Sequence, residues 1–170
     1  MSSTTNTTEV KNWYFQIEVP DNWIYEEYSD SPAADMLGFG PKNSISLVPN
    51  EFNINEIKNG NISEVAAAFF QKDFRYNIKN APLDMYLQYK LDDQPAMNMT
   101  SQEKIVVDGE EAIKIYSEGI EPTVSEIKYL EYLFIHNNEP YLIMYAGNLN
   151  NYEKYLSEFE KMVKTFRFEE

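Results

Sequence analysis

The sequence predicts an α+β domain, a mostly antiparallel β-sheet sandwiched between helices. Three observations carry this. First, two tight-turn signals, Asp108-Gly109 and Asn137-Asn138-Glu139, each lie between runs rich in β-branched and aromatic residues. That is the pattern of a β-hairpin, and hairpins pair their strands antiparallel. Second, two segments, Ile62–Ile78 and Asn150–Lys164, carry apolar residues at helical spacing. Third, the 170 residues are 43% apolar and 15% aromatic, enough for one core, so a single domain over residues 13–168 is expected.

The elements follow in order. Trp13, Phe15, Ile17 and Val19 alternate with polar or amphipathic residues, which predicts a half-buried strand. Pro20-Asp21-Asn22 breaks it. Trp23–Tyr28 reads as a second short strand, Ser29–Ala33 as a loop, and Ser44–Val48 as a third strand closed by Pro49. Gly38-Phe39-Gly40 reads as a turn or bulge, since it lacks the third glycine of a phosphate cradle. Ile62–Ile78 is expected to be a helix. Asn61 and Glu64 form a cap pair, Ala66–Ala68 favour helix, and Ile62, Ala66, Phe69, Phe70, Phe74 and Ile78 make a stripe. Asn80-Ala81-Pro82 stops it. Met85–Leu91 shows weak alternation and Asp92–Pro95 reads as a turn. Glu103–Val107 and Ala112–Tyr116 form the first hairpin, Ile127–His136 and Pro140–Ala146 the second. Pro140 has no amide hydrogen and belongs at a strand start. The second helix, Asn150–Lys164, presents Tyr152, Tyr155, Leu156, Phe159, Met162 and Val163 on one face. Thr165–Phe168 returns as a last edge strand.

Composition excludes several functions. Fourteen basic residues against 28 acidic give a net charge of −14, spread evenly along the chain. No basic patch or stripe exists to meet phosphates, so nucleic acid is excluded as a partner. The absence of cysteine removes disulfides, thiol catalysis, Cys-ligated zinc and iron–sulfur chemistry. No apolar run approaches the roughly 20 residues of a spanning helix. Residues 1–12 read as a flexible Ser/Thr-rich linker, a tether left when a targeting or anchor segment is removed. A frayed terminus is the ordinary alternative.

Five stretches, taken in order, resemble the Mog1/PsbP-like superfamily, and PsbP-like domains in particular. They are the opening strand running into Val19-Pro20-Asp21-Asn22-Trp23, the long helix in mid-chain, Val107-Asp108-Gly109-Glu110-Glu111-Ala112 with a strand ending at Tyr116, the strands joined by Asn137-Asn138-Glu139 and running into Pro140-Tyr141, and the terminal helix with Tyr152, Tyr155-Leu156, Phe159-Glu160, Val163 and Thr165-Phe166. The resemblance spans residues 13–168. It implies an α/β/α sandwich and a non-enzymatic accessory role, as in the lumenal photosystem subunits, the Ran-binding nuclear factor and exported prokaryotic lipoproteins of that superfamily. No basic N-terminal docking stretch and no match to a Ran-contacting surface is present, so neither specialised function carries over.

Chemistry-bearing residues are sparse. His136, the single histidine, sits beside a hairpin turn, and no GxSxG motif accompanies it, so a hydrolytic triad is not supported. Asp92-Asp93 and Glu110-Glu111 are the densest carboxylate pairs and the candidates for a weak divalent-cation site. On a strand, Glu110 and Glu111 point to opposite faces, which works against chelation. Solvated turns are the ordinary reading of both. Met97 and Met99 suit Cu(I) only in richer company. The tyrosines at 116, 129, 132, 141, 145, 152 and 155 are expected between sheet and helix, some forming an aromatic rim. Trp13, Trp23, Tyr129 and Tyr141 are the candidate partner-contacting residues. Sequons stand at Asn6, Asn61 and Asn98.

The expectation is therefore a monomeric, non-catalytic, extracytoplasmic accessory domain with no cofactor, reaching a membrane only through a removed anchor. It would bind an unidentified protein partner through a sheet edge or an aromatic rim. The alternative is a small-ligand or divalent-cation binding module of the cell envelope.

Overall fold

The computed structural model describes residues 6–11, 14–27, 36–41, 66–73, 82–93, 98–121 and 125–169. The two hairpins form as the turn chemistry requires. Asp108 and Gly109 have φ of 44° and 84°, and Asn137 and Asn138 have φ of 51° and 64°. Two successive left-handed residues give the turn whose twist matches the flanking strands. The hairpins are β6 (Asn98–Val107) with β7 (Glu110–Glu121), and β8 (Ser125–His136) with β9 (Glu139–Asn148). Pro140 lies at the start of β9.

These four strands make one side of a seven-stranded antiparallel sheet. The other side is β3 (Trp23–Glu27), β4 (Met36–Pro41) and β5 (Ala66–Lys72), giving the order β3-β4-β5-β9-β8-β7-β6. A smaller sheet of β1 (Thr7–Lys11), β2 (Phe15–Pro20) and β10 (Arg167–Phe168) lies in the order β1-β2-β10. Helix α2 (Leu149–Thr165) and the small sheet cover one face of the large sheet. Helix α1 (Leu83–Asp93) covers the other. The α+β class and the α/β/α layering are as expected.

Alternation divides the core. Leu130, Tyr132 and Phe134 of β8 meet Phe159, Met162 and Phe166 and the β2 residues Phe15, Ile17 and Val19. Leu133, with Ile113 and Ile115 of β7, meets Tyr86 of α1. Where β9 runs into α2 the chains pass closely. A Cβ on Gly147 would lie 2.8 Å from the Tyr152 backbone, so only glycine fits.

Four expectations need correction. The helix expected over Ile62–Ile78 is, in its described part, strand β5. It pairs with β4 and with β9, Phe70 opposite Ile143. Ala66, Ala68 and Phe70 face α2, while Phe69 is buried on the opposite face. A central strand covered on both faces reads as a continuous apolar run, and here alanines made that run look helical. The weakly alternating Met85–Leu91 belongs instead to α1, with Asp92 and Asp93 as its last residues rather than a turn. Leu83, Tyr86, Leu87 and Lys90 hold the inward positions at helical spacing. Gly38-Phe39-Gly40 is neither turn nor bulge but the interior of β4. Thr7–Lys11, assigned above to the linker, pairs with β2 as β1. Trp13, Ser29–Ala33, Ser44–Val48, Asn61, Met97 and the side chain of Asp93 lie outside the described residues. Among the described residues no helix is long and apolar enough to cross a membrane.

Candidate functional site at the β6 edge

Strand β6 ends the large sheet. Among the described residues it pairs only with β7, and eight of its ten residues are exposed. In a two-residue hairpin the closing pair, here Val107 and Glu110, exchanges both backbone hydrogen bonds. Counting back by alternation, Ile105 and Glu103 also bond to β7. The N–H and C=O groups of Val106, Lys104 and Gln102 therefore face outward, available to a further strand. Val106 is 68% exposed, the most of any large apolar residue described.

The two faces of this edge differ. Ile105 and Val107 lie on the α2 face and pack against its core. Glu103 stands beside them, opposite Lys114 of β7. On the α1 face are Val106 and Lys104, with Lys104 Nζ 3.6 Å from Glu111.

A cleft of about 280 Å³ opens between the α2 face of this edge and helix α2. Ile105, Val107, Val163 and Tyr132 are among its walls, and Lys114 and Glu160 line it. Lys114 Nζ lies 3.6 Å from both Glu103 and Glu160 and 5.3 Å from the centre of the Tyr116 ring. Burial works against the ammonium. The Tyr116 hydroxyl, Tyr132 and Glu160 outweigh it and hold the Lys114 pKa above the ordinary lysine range. Lys114 stays charged and stands between the two acids. Burial pushes the Tyr132 phenol up to about 12 and raises Tyr145 and Tyr152 as well. These hydroxyls stay neutral, and Tyr145 donates to the Tyr152 carbonyl at 2.8 Å.

A second polar group closes the hairpin tips. His136 Nδ1 lies 3.0 Å from Glu110, and its ring stacks on Phe168 at 3.6 Å between centroids. The Phe168 amide donates to Asp108 at 2.9 Å. His136 thus ties the C-terminal strand to both turns.

The expected site residues separate. Glu110 joins His136, while Glu111 pairs with Lys104 on the other face. Asp92 accepts a bond from Gln88 one helical turn earlier. The carboxylates at 92, 110 and 111 do not converge, and among the described residues no three acidic or histidine side chains gather as a cation site needs. Trp23 is buried in the core, its indole N–H bonded to Glu158. Tyr141 is buried against Phe134 and Phe168. Tyr129 is half-buried on the α1 face, the face of Glu131 and Leu133. Of the expected aromatic rim, the cleft holds the buried Tyr132, with Tyr116 beside Lys114. Sequence reasoning missed Glu103, Lys104, Val106 and Lys114. The signal was present in Gln102-Glu103-Lys104 followed by Ile105-Val106-Val107, a strand polar at one end and apolar on both faces at the other.

No family model matches the sequence, and no curated protein matches it. Solved structures do. PsbP (CyanoP) of Synechocystis sp. PCC 6803 superposes with a TM-score of 0.59 at 8% identity, covering 99% of this chain and 95% of that one. LpqN of Mycobacterium tuberculosis, described as involved in cell envelope biogenesis, gives 0.56 at 12% identity over 99% and 93%. The Pseudomonas aeruginosa protein PA94, of unknown function, gives 0.54 at 9% identity over 94% of each chain. At these identities the likeness is one of fold, and it bears out the PsbP-like architecture.

Proposed function

From this PsbP-like fold, in which β6 is a sheet edge that pairs only with β7 among the described residues, we propose that the protein is a non-catalytic, extracytoplasmic accessory domain that binds a protein partner by accepting a strand along β6. The observation that carries the reading is the exposure of eight of the ten β6 residues, with the backbone groups of Gln102, Lys104 and Val106 directed outward. The cleft beside Ile105 and Val107 supplies the apolar contact that a strand alone lacks. Placement outside the cytoplasm is supported by the structural likeness to LpqN, described as involved in cell envelope biogenesis.

The substitution Val106→Pro tests it. The lost N–H faces away from β7, so the β6–β7 ladder keeps its bonds and the edge loses a donor. Calorimetric titration with an acetylated, amidated peptide, Thr-Val-Ile-Val-Glu-Lys-Thr-Gln, should show one-to-one binding to the native chain. Val106→Pro should lose that binding at least tenfold while keeping the native melting temperature. Unchanged binding would remove β6 as the site.

A further inference from the structure

We infer that the strand accepted by β6 comes from a different protein and carries a fixed charge order: three apolar residues facing Val107, Val106 and Ile105, then an acid facing Lys104, then a base facing Glu103. The inference rests on β6 being the partner-binding edge and adds which strand it takes.

The apolar half of the pattern follows from the cleft. Lys114 is matched to Glu103 and Glu160, and Asp108 to Arg167 at 3.7 Å, with Lys164 also on the wall. Covering them with an ion would leave one charge unmatched in a desolvated place. A neutral side chain leaves each of these pairs intact and adds cover to Val106 and the half-buried Ile105, beside the already buried Val107.

The charged half follows from register. Glu103 and Lys104 are adjacent and point to opposite faces. Glu103 already has Lys114 across the strand on its β7 side, and a base on its free side completes an alternating row. Lys104 is met by Glu111 on the α1 face, and an acid on its free side does the same there.

The same rule works against a second copy of this chain. Two β6 strands pairing antiparallel about an axis normal to the sheet place residues of one face opposite each other. Registers centred on Glu103 or Lys104 set like charges opposite each other, and the register centred on Ile105 sets Lys104 against Val106 and Glu103 against Val107, with no ion pair at either place. A parallel pairing in register sets like against like at both positions. Two chains of net charge −14 add long-range repulsion. A strand with the opposite order gains both ion pairs, which no symmetric antiparallel pairing of β6 with itself supplies.

Two isomeric peptides decide this, because they share composition and net charge. Thr-Val-Ile-Val-Glu-Lys-Thr-Gln has the matched order in antiparallel pairing, and Thr-Val-Ile-Val-Lys-Glu-Thr-Gln has the reverse. The matched peptide should bind the full chain roughly five- to tenfold more tightly. The preference should vanish in Glu103→Gln/Lys104→Gln, and Val106→Pro should abolish binding of both. Equal binding of the two isomers, lost in Val106→Pro, would overturn the charge order and leave the edge reading intact. Binding of neither would overturn both. A dimer in sedimentation that Val106→Pro dissociates would show the occupant to be a second copy and overturn the inference.

Discussion

Replacing Lys90 with Met is expected to destabilise the protein by about 3–5 kcal/mol, read as a lower urea midpoint at unchanged m-value. Lys90 is on the inner face of α1 and its side chain is 2% exposed. Its ammonium lies 2.8 Å from Glu131 of β8, whose side chain is 4% exposed. Among the described residues, Glu131 Oε2 has no other bond to compensate its burial. The substitution leaves a buried carboxylate between its cross-strand neighbours Ile115 and Met144, with its lost hydration no longer offset by the ammonium. Adding Glu131→Leu should recover most of the loss, because burying two apolar groups costs less than burying one unmatched charge. A Lys90→Met loss below about 1 kcal/mol would mean that water reaches Glu131.

Phe166→Ala is expected to cost a similar amount, about 3–5 kcal/mol, for a different reason. Phe166 is almost fully buried between α2 and β10. Its ring lies 5.3 Å from Phe15 of the small sheet, and 5.6 Å and 6.3 Å from Phe134 and Phe70 of the large one. It also meets Phe168 edge-on at 5.1 Å. Removing it opens a cavity where the two sheets and the C-terminus of α2 converge, and neighbours on rigid strands cannot close it. Thermal unfolding should drop accordingly. A variant that melts within about 2 °C of the native chain would contradict this role for Phe166.

The residues show why some of the fold was legible and some was not. Asp108-Gly109 and Asn137-Asn138 dictate turns through local φ preferences, so both hairpins could be read directly. Helix α2 was legible because one face is buried and the other wet, which leaves a clean period. Strand β5 was misread because both of its faces are buried, and burial on all sides erases period. Helix α1 was misread because Lys90, a buried cation, occupies a position that the apolar pattern needs. Its partner, Glu131, lies 41 positions away, and no local rule links them. The same limit applies to the edge site. Glu103, Lys114 and Glu160 come from three elements, and only the assembled register shows that Lys114 stands between the two acids. The aromatic candidates Trp23 and Tyr141 proved to be core, since a large apolar side chain looks the same in sequence whether it faces a partner or a helix.

The central claim, a β6 edge free to accept a strand, is tested most directly by amide hydrogen exchange along β6. In the free protein the amides of Glu103, Ile105 and Val107 should be protected, while those of Gln102, Lys104 and Val106 exchange at near-solvent rates. Saturation with the matched peptide should protect the second set and leave the first unchanged. Protection of Gln102, Lys104 and Val106 in the free, monomeric chain would show that the edge is already occupied from within, and the account would fail.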